Sequence, residues 1–273
     1  MSKVFFITGA SKGFGRHWAE TALAQGHRVA ATARNVGDLT ALTLRYGDAV
    51  LPLQLDVTQH DACFAAVQQA HAHFGAIDVL ISNAGYGHFG FVEEATEQEA
   101  RNQIETNVFG SLWVIQAVLP FMRAQRSGHI IQVSSIGGVI AFPNLGIYHA
   151  SKWAVEGLCE SLSKEVAAFG IHVTLVEPGP FTTDWAQVSS VRSVPNPDYA
   201  EVRAGFAATT QTFDRGNPAA TGEAIMSLVN MAQPPLRLML GRMAWKVIEP
   251  AYAQRLQTWR DGVALAESAH ECA

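Results

Sequence analysis

Residues 3–15 of the 273-residue chain read KVFFITGASKGFG. Lys3–Thr8 is a short apolar run typical of a buried strand, and the glycines after it allow a tight turn into a helix. Glycines also let the backbone approach a pyrophosphate, which the N–H groups and partial positive charge of a helix N-terminus would bind. A strand, a glycine loop and a helix in this order predict a dinucleotide site, and an ordinary strand–helix turn is the alternative.

The same pattern recurs along the chain, because short apolar or β-branched runs alternate with longer helical patterns. Strands are predicted at Lys3–Thr8, His27–Ala33, Ala49–Leu55, Val79–Ser82, His129–Ser134, His172–Glu177 and Leu236–Leu240. Helices are predicted at Gly15–Gln25, Val36–Tyr46, Gln59–Phe74, Tyr148–Phe169 and Ala219–Met231. The segment Glu97–Gln125 is predicted to hold a short helix and then a long one, with a break near Pro120. This alternation predicts an α/β fold, a doubly wound parallel sheet with helices on both faces.

The amino-acid composition and the periodicity of the chain change after Pro178. Residues 179–220 hold many Gly, Pro, Ser and Asn residues with weak periodicity, and a long irregular segment after the carboxyl end of a strand favours a substrate lid. A C-terminal helix is predicted at about 242–266. The chain shows no repeat and no linker, so we expect one dinucleotide-binding catalytic domain over residues 1–273.

Composition narrows the class of protein. Hydrophobic residues make up 48% and charged residues 16% of the chain, which argues against disorder. The formal net charge of −5 argues against nucleic-acid binding, and three scattered cysteines suggest neither a disulfide framework nor a metal site. We find no signal peptide and no apolar stretch near membrane-spanning length. We therefore expect a cytoplasmic protein without a metal and without nucleic-acid or membrane partners.

The residues after the second strand bear on the choice between NAD and NADP. A carboxylate there binds the ribose 2′-hydroxyl of NAD, whereas an arginine accommodates the 2′-phosphate of NADP. Residues 31–35 read ATARN, so Arg34 is present and the acid is absent. Lys12 is a second candidate cation, although either residue could be a solvated surface charge. The sequence therefore predicts NADP, with these loop residues as cofactor-binding candidates: Gly9, Ser11, Lys12, Gly13, Phe14 and Gly15.

Two later segments are candidates for the same cofactor site. Asp56 and Val57 follow the third strand, where the Asp56 carboxylate could accept from the adenine amino group or cap the next helix. Asn83, Ala84 and Gly85 follow the fourth strand, where small residues would let the backbone lie against a cofactor. A plain turn would have the same sequence there.

Tyr148 and Lys152 are four residues apart, which puts both side chains on one face of a helix. The usual pKa of tyrosine is about 10, and a neighbouring ammonium stabilises the phenolate and lowers that pKa. Ser135 ends the fifth strand, where a hydroxyl could orient a substrate oxygen, but chemistry alone does not separate it from Ser134. Asn107 lies early in a long helix, where asparagine is unfavourable unless it acts locally, for example by binding a water at a distortion.

Together and in this order, these motifs resemble the short-chain dehydrogenase/reductase family of the classical type. The resemblance covers about the first 185 residues and rests on the glycine loop, Asp56, Asn83-Ala84-Gly85, Asn107, Ser135, Tyr148-x-x-x-Lys152 and Pro178-Gly179. It implies a Rossmann-type fold with about seven parallel strands. It also implies an NADP-dependent oxidoreductase that reversibly reduces a ketone or aldehyde to an alcohol, closest to carbonyl reductases and hydroxysteroid-dehydrogenase-like members.

The resemblance also implies a role for each residue. Tyr148 is the proton donor in reduction and the base in oxidation, while Lys152 lowers its pKa and binds the nicotinamide ribose hydroxyls. Ser135 polarises the carbonyl, and Asn107 anchors a water in a proton relay through Lys152. The segment that contacts the carboxamide end of the nicotinamide corresponds to Pro178, Gly179 and Thr183.

Two rival interpretations stay open. A catalytically silent NADP-binding regulator would need only the cofactor loop, and the intact catalytic residues argue against it. An epimerase or dehydratase of the extended branch would carry a larger C-terminal domain than this length easily holds. The candidate pocket residues are aromatic and suggest a bulky apolar or aromatic substrate, although ordinary packing would explain each of them: Phe89, Phe91, Phe142, Phe181 and Trp185.

We also expect a homodimer or a homotetramer. The helices that carry Asn107 and Tyr148 resemble those by which this family pairs its subunits. On the second helix, Val155, Leu158 and Leu162 exceed the apolar residues that its own sheet needs.

Overall fold

A computed structural model describes residues 2–182 and 190–270 of the protein. Nine strands lie within those residues: β1 (Val4–Ile7), β2 (Arg28–Ala33), β3 (Val50–Gln54), β4 (Val79–Ser82), β5 (His88–Phe89), β6 (Gly128–Val133), β7 (Ile171–Pro178), β8 (Val191–Arg192) and β9 (Arg237–Leu240). Seven of them form one parallel sheet in the order β3-β2-β1-β4-β6-β7-β9. The predicted sheet of about seven parallel strands is confirmed.

Ten α-helices occur in the same residues: α1 (Gly13–Ala24), α2 (Thr40–Tyr46), α3 (His60–Phe74), α4 (Glu97–Ile104), α5 (Gly110–Gln125), α6 (Gly146–Val166), α7 (Ala200–Gln211), α8 (Thr221–Val229), α9 (Arg242–Asp261) and α10 (Val263–Ser268). Helices α1 and α8 pack together on one face of the sheet, and α3, α5 and α6 cover the other. The predicted doubly wound Rossmann-type arrangement is therefore confirmed.

Alternation along β1 shows why both faces of the sheet need helices. Phe5 and Phe6 are adjacent, and each is fully buried in a different core cluster. Phe5 joins the cluster that contains Trp18 of α1, whereas Phe6 joins the one that contains Val118 of α5. Because successive side chains of a strand point to opposite faces, an unbroken apolar run is stable only under two helical layers.

The predicted helix break near Pro120 is wrong. Helix α5 continues through Pro120 to Gln125, because its buried face holds it against the core despite the lost hydrogen bond. The predicted short helix followed by a long one is confirmed as α4 and α5, and the interruption between them is a π-helical turn at Glu105–Phe109. Asn107 is at the centre of that turn, so its predicted association with a distortion is confirmed.

The continuous helical run Glu97–Gln125 is long and apolar enough to cross a membrane by length and composition alone. The sequence analysis found no such stretch. In the fold, α5 contributes Val114, Ile115, Val118 and Met122 to the buried core. Packing against the sheet and α3 thus accounts for the apolar composition of this helix.

Two further expectations about the second half of the chain need correction. The segment 179–220 is not irregular throughout, because it contains α7 and the short strand β8, which pairs with β5. Helix α7 buries none of its residues, so its sequence has no amphipathic pattern from which a helix could be predicted. The single C-terminal helix predicted at about 242–266 is two helices, α9 and α10, separated at Gly262.

Candidate active site

The glycine loop between β1 and α1 adopts a conformation that favours glycine. Gly9 and Gly13 have φ angles of +64° and +58°, in the left-handed region that L side chains rarely enter. At Gly15, a Cβ atom would lie 2.5 Å from the Gly9 carbonyl oxygen and 2.5 Å from Asn83 Nδ2. The Cβ position of Gly13 meets no described atom within 4 Å, so this side of the loop is open. The loop fits a group that must approach the backbone closely, as a pyrophosphate does.

Thr8 and Asn83 hold the glycine loop against the end of β4. Asn83 Nδ2 donates to the carbonyl oxygens of Thr8 (2.9 Å) and Gly9 (3.1 Å). The backbone N–H groups of Asn83 and Ala84 both donate to Thr8 Oγ1, each at 2.9 Å. Sequence reasoning named Asn83 and Ala84 as cofactor contacts but missed the bracing role of Thr8, whose position directly before the loop was the available signal. Gly85, the third residue of that motif, is exposed.

The two predicted cations, Lys12 and Arg34, lie in the segments that follow β1 and β2, which are neighbouring strands of the sheet. The Ala10 N–H donates to the Thr32 carbonyl oxygen at 2.8 Å, which ties the glycine loop to the end of β2. Lys12 directly precedes α1 and Arg34 directly follows β2, and both side chains are exposed. The donor set fits a phosphorylated ribose, because two cations are present and the residues directly after β2, Arg34 and Asn35, include no acid.

The other predicted cofactor residues have different surroundings. Asp56 is exposed, and its Oδ1 accepts hydrogen bonds from Thr58 N (3.0 Å) and Thr58 Oγ1 (2.9 Å). Gln59, not Asp56, precedes α3, so the helix-cap alternative for Asp56 is wrong. The Val57 side chain is buried in the core, and its carbonyl oxygen accepts from Cys63 Sγ at 3.5 Å. Ser11 and Phe14 are half-buried, and the Phe14 ring stacks on that of Trp18.

Tyr148 and Ser135 meet where β6 ends and α6 begins. Tyr148 lies in the first turn of α6, which begins at Gly146, two residues before the predicted start. Its side chain is buried and hydrogen-bonds the Ser135 side chain. Ser134 instead lies beside Glu156, on the other side of the strand end. The structure therefore separates the two serines and places Ser135 at the tyrosine, as the family spacing implied.

Lys152 lies one turn after Tyr148 on the same face of α6. Its Nζ donates to the Val133 carbonyl oxygen at 3.0 Å and lies 5.8 Å from the centre of the Tyr148 ring. Both side chains are buried, so neither ionised form is well solvated. Burial lowers the pKa of Lys152 to about 8, and the charge of Glu156 acts in the opposite direction.

The direction of the Tyr148 pKa shift differs from the sequence prediction. We expected Lys152 to lower this pKa, but burial raises it to about 12, against a smaller lowering by the Ser135 hydrogen bond. The cause is loss of solvation of the phenolate, which outweighs nearby favourable interactions. Tyr148 is thus protonated at neutral pH, the state that a proton donor requires.

Asn107 connects the π-helical turn to two neighbouring elements. Its Nδ2 donates to the Tyr86 carbonyl oxygen (3.1 Å) and to Ser151 Oγ (3.0 Å), and its Oδ1 accepts from the Tyr86 N–H (3.1 Å). Ser151 immediately precedes Lys152 on α6. The side chain of Asn107 therefore fixes α6 relative to the segment after β4, and the water relay implied by the resemblance stays a prediction.

An apolar cavity of about 500 Å³ lies between the predicted lid and the loop before α6. Phe142 of that loop, Phe206 of α7 and Val247 of α9 are among the residues that line it. His149, next to Tyr148, anchors the loop: its Nε2 accepts from the Phe142 N–H at 2.9 Å and its Nδ1 bonds the Gly137 carbonyl oxygen. Of the predicted pocket residues, Phe142 lines this cavity.

The other predicted pocket aromatics have packing roles or lie elsewhere. Phe91 is buried and stacks on Tyr199, with centroids 4.7 Å apart. Phe181 packs edge-on against Phe14 at 5.2 Å, beneath the glycine loop. The guanidinium of Arg192 lies over the Phe89 ring. Sequence reasoning could not separate these residues from Phe142, because aromatic residues serve both in cores and in pockets.

The last predicted cofactor segment follows β7. Pro178 is buried and ends β7 beside Leu240 of β9, and the Gly179 N–H donates to the Leu240 carbonyl oxygen at 2.9 Å. These contacts place the segment at the carboxyl edge of the sheet, as expected. Thr183 and Trp185 lie outside the described residues.

The apolar residues used to predict subunit pairing do not support that prediction. Val155 and Leu162 are buried in the chain's own core, and Leu158 packs against the same cluster. Their apolar character is thus explained within one chain. The exposed aromatic residues on the outer surfaces of α6 and of the π-helical turn are instead Trp153 and Phe109.

Comparisons with known proteins agree with this geometry. The sequence model of the short chain dehydrogenase family matches residues 3–192. The chain is 43% identical over 246 residues to an oxidoreductase of Botryotinia fuckeliana called BOA17, covering 88% of this chain and 89% of that protein. It is 39% identical over 247 residues to a 3-ketodihydrosphingosine reductase of Bacteroides thetaiotaomicron, with 88% of each protein covered.

Solved structures give the same result. A short-chain dehydrogenase from Streptomyces avermitilis superposes with a TM-score of 0.92 at 36% identity, covering 98% of both chains. A short chain dehydrogenase from Burkholderia cenocepacia, solved with NADP, has a TM-score of 0.76 at 27% identity and covers 94% of this chain and 95% of its own. The family model and the relatives each match most of the length of this chain. The chain therefore belongs to the short-chain dehydrogenase family and is an oxidoreductase of the kind that uses a nicotinamide cofactor.

Proposed function

We propose that the protein is an NADP(H)-dependent oxidoreductase that reversibly reduces a ketone or aldehyde to an alcohol and acts on a bulky apolar or aromatic substrate. The observation that carries the proposal is the meeting of Ser135, Tyr148 and Lys152 at the end of β6. Hydrogen bonds join the glycine loop to the end of β4, which lies between β1 and β6 in the sheet. A cofactor on that loop can therefore reach the end of β6, where these three side chains meet.

The side chains at this edge have complementary tasks. A nicotinamide, when bound, supplies or accepts the hydride. In reduction, Ser135 donates a hydrogen bond to the carbonyl oxygen, and Tyr148 donates its phenolic proton to the same oxygen. In oxidation the phenolate of Tyr148 takes that proton back. Lys152 favours the phenolate electrostatically and binds the ribose hydroxyls, while Asn107 fixes the helix that carries both residues.

NADP is the cofactor that the charges favour. Exposed Lys12 and Arg34 flank the site where a 2′-phosphate would lie, and neither residue directly after β2 carries a carboxylate. A free 2′-hydroxyl would find no acid to accept its hydrogen bond. The NADP-bound relative from Burkholderia cenocepacia is consistent with this preference.

The support for the proposed substrate class is the apolar cavity between α7, α9 and the loop before α6. The cavity has a volume of about 500 Å³, and its lining includes five apolar side chains: Phe142, Val202, Phe206, Phe213 and Val247. Such a space favours a large hydrocarbon group next to the reacting carbonyl. The name of the relative from Bacteroides thetaiotaomicron, a 3-ketodihydrosphingosine reductase, supports a ketone with a long apolar chain.

NADPH oxidation at 340 nm, with ketones of increasing hydrocarbon size, tests this function. We expect turnover with NADPH, and kcat/KM that rises with apolar size until the cavity is filled. A silent NADP-binding regulator would bind NADPH with no turnover of any ketone, and alcohols with NADP would also fail. That result would overturn the proposed activity and favour the regulator.

We further propose that the protein is cytoplasmic and forms a homodimer or a homotetramer. The support for assembly is the exposed Trp153 and Phe109, because Val155 and Leu162 are buried and Leu158 packs against the core of its own chain. Light scattering at micromolar concentration should give the mass of two or four chains. A monomer throughout that range would contradict the proposed assembly.

A further inference from the structure

Helix α7 forms one wall of the apolar cavity, although the core does not hold it in place. Its residues Val202 and Phe206 line the cavity together with Phe142 of the loop before α6. None of the residues of α7 is buried, so apolar packing alone does not fix where this helix lies. The partly buried residues of α7 share one face of the helix, and they are Arg203, Phe206 and Thr210. The contacts of that face therefore decide the shape of the cavity.

Arg203 links α7 to two other segments of the chain. Its guanidinium pairs with Glu94, in the segment between β5 and α4, and its Nη1 donates to Asn144 Oδ1 at 3.1 Å. The guanidinium also lies over the Phe91 ring, 4.7 Å from its centroid. One side chain thus connects the cavity wall both to a neighbouring segment and to the loop that leads into α6.

Glu94 is held by the main chain around it. Its side chain is 1% exposed, its Oε2 accepts from the Phe91 N–H at 2.8 Å, and its Oε1 accepts from the Asn196 N–H at 2.7 Å. An ionised carboxylate that is so deeply buried requires a cation, which Arg203 supplies. Because both carboxylate oxygens already face donors, Glu94 gives α7 a fixed anchor and not a movable surface charge.

The loop on the other side of Arg203 is held independently of α7. Asn144 has a φ angle of +67°, and its carbonyl oxygen accepts from the Gly90 N–H at 3.0 Å. Nε2 of His149, on α6, accepts from the Phe142 N–H at 2.9 Å. Loss of the Arg203 contacts should therefore displace α7, while the loop and the start of α6 keep their places.

We propose that Arg203, clamped between Glu94 and Asn144, is a positioning residue for substrate recognition. It holds the α7 wall of the cavity at a set distance from Tyr148, so that the hydrocarbon part of a bulky ketone packs between α7 and the loop before α6. This inference rests on the proposed function, because it concerns the cavity of that reaction. It gives Arg203 no contact with the reacting carbonyl or with the cofactor.

Arg203→Met separates this role from a general structural one. Methionine keeps an apolar stem of similar length and removes both polar contacts. With benzophenone, a bulky aromatic ketone, we expect KM to rise and kcat/KM to fall by roughly 10–100-fold relative to the parent. With propanal, which is too small to fill the space up to α7, kcat/KM should fall far less.

Arg215→Met is the matched control. Arg215 is exposed, and its Nη2 donates to the carbonyl oxygen of Thr210 in α7 itself, at 3.4 Å. This variant removes the same charge from the same part of the chain without releasing α7 from another segment. Its ratio of benzophenone to propanal efficiency should equal that of the parent. A ratio that changes as much in Arg215→Met as in Arg203→Met would overturn the inference.

A second readout does not depend on turnover. Benzophenone cannot be reduced while the bound cofactor is oxidised NADP, so calorimetry on that complex measures its affinity. Arg203→Met should weaken this affinity by the same roughly 10–100-fold. Equal affinity in the parent and in Arg203→Met overturns the inference, and so does a parent that binds no benzophenone. An inactive parent with the expected loss of affinity would instead refute the proposed function and leave the role of Arg203 in the cavity standing.

Should Arg203→Met fail to fold, Asn144→Gly and Arg203→Lys keep the inference falsifiable. Glycine tolerates the positive φ of this position and removes only the amide that binds Arg203. Lysine keeps a charge for Glu94 but lacks the planar fork that also reaches Asn144. Each variant should lower benzophenone efficiency more than propanal efficiency. An equal proportional loss with both substrates would show a general structural effect and overturn the inference.

Discussion

At the glycine loop, the groups placed to bind a cofactor are main-chain N–H groups and two exposed cations, Lys12 and Arg34. At the end of β6, by contrast, Tyr148, Lys152 and Glu156 are all buried. The loop therefore depends on backbone shape and on charges that water screens. The chemical centre depends on proton affinities that burial changes. Substitutions should accordingly alter cofactor choice in the first region and rate or pH dependence in the second.

The largest effect is expected for Tyr148→Phe. The phenyl ring keeps the packing and removes only the transferable proton, so turnover should fall by roughly 10²–10⁴-fold. NADPH affinity should stay close to that of the parent. The measurements are the turnover rate with the best ketone and a fluorescence titration with NADPH. Turnover within tenfold of the parent would contradict the role of Tyr148, and a joint loss of NADPH binding would point to misfolding.

Gly15→Ala probes the loop through its shape. A Cβ atom there would lie 2.5 Å from a backbone oxygen, so the loop must move. We expect the free energy of unfolding to fall by about 1–3 kcal/mol, with weaker NADPH binding. Gly157→Ala is the matched control, because this exposed position on α6 has no described atom within 4 Å of its Cβ, and it should gain about 1 kcal/mol. Unchanged NADPH affinity in Gly15→Ala would refute the close-approach argument.

Glu177→Gln tests the effect of burial on proton affinity. A carboxyl whose pKa rises to about 7 on folding destabilises the fold fully above pH 7, and the effect disappears as pH falls below its unfolded pKa. The neutral amide should therefore raise the free energy of unfolding by about 1–2 kcal/mol at pH 8 and by almost nothing at pH 4. Chemical denaturation at both pH values measures this. A gain that is equal at pH 4 and pH 8 would rule out ionisation as its cause.

The smallest effect is expected for Arg34→Asp. An exposed cation contributes less than a buried one, so the ratio of NADPH to NADH efficiency should fall by roughly tenfold. Arg45→Asp, an equal charge change at an exposed position on α2, is the control and should leave the ratio unchanged. Equal kcat/KM with both cofactors in the parent protein would contradict the NADP preference from the start.

The same contrast explains which features were predictable. The strand and glycine loop form a local pattern that spans 13 residues, and the Tyr148–Lys152 pair spans five. The structure places both patterns at the predicted edge of the sheet. Helix α7 was missed because it buries no residue and so leaves no periodic signal. The π-helical turn at Asn107 was expected only as an unspecified distortion, and the break was placed at Pro120 because proline usually interrupts a helix.

By itself, the sequence determined the parallel sheet with its two helical layers, the open glycine loop and the placing of Tyr148 and Lys152 on one helix face, because these follow from short-range periodicity and conformational preference. Only the tertiary structure decided which serine meets Tyr148 and in which direction its pKa moves. It also decided that Arg237, 81 residues after Glu156, would pair with the buried Glu156 carboxylate. Those properties depend on burial and on contacts between distant segments, and no local pattern in the chain records them.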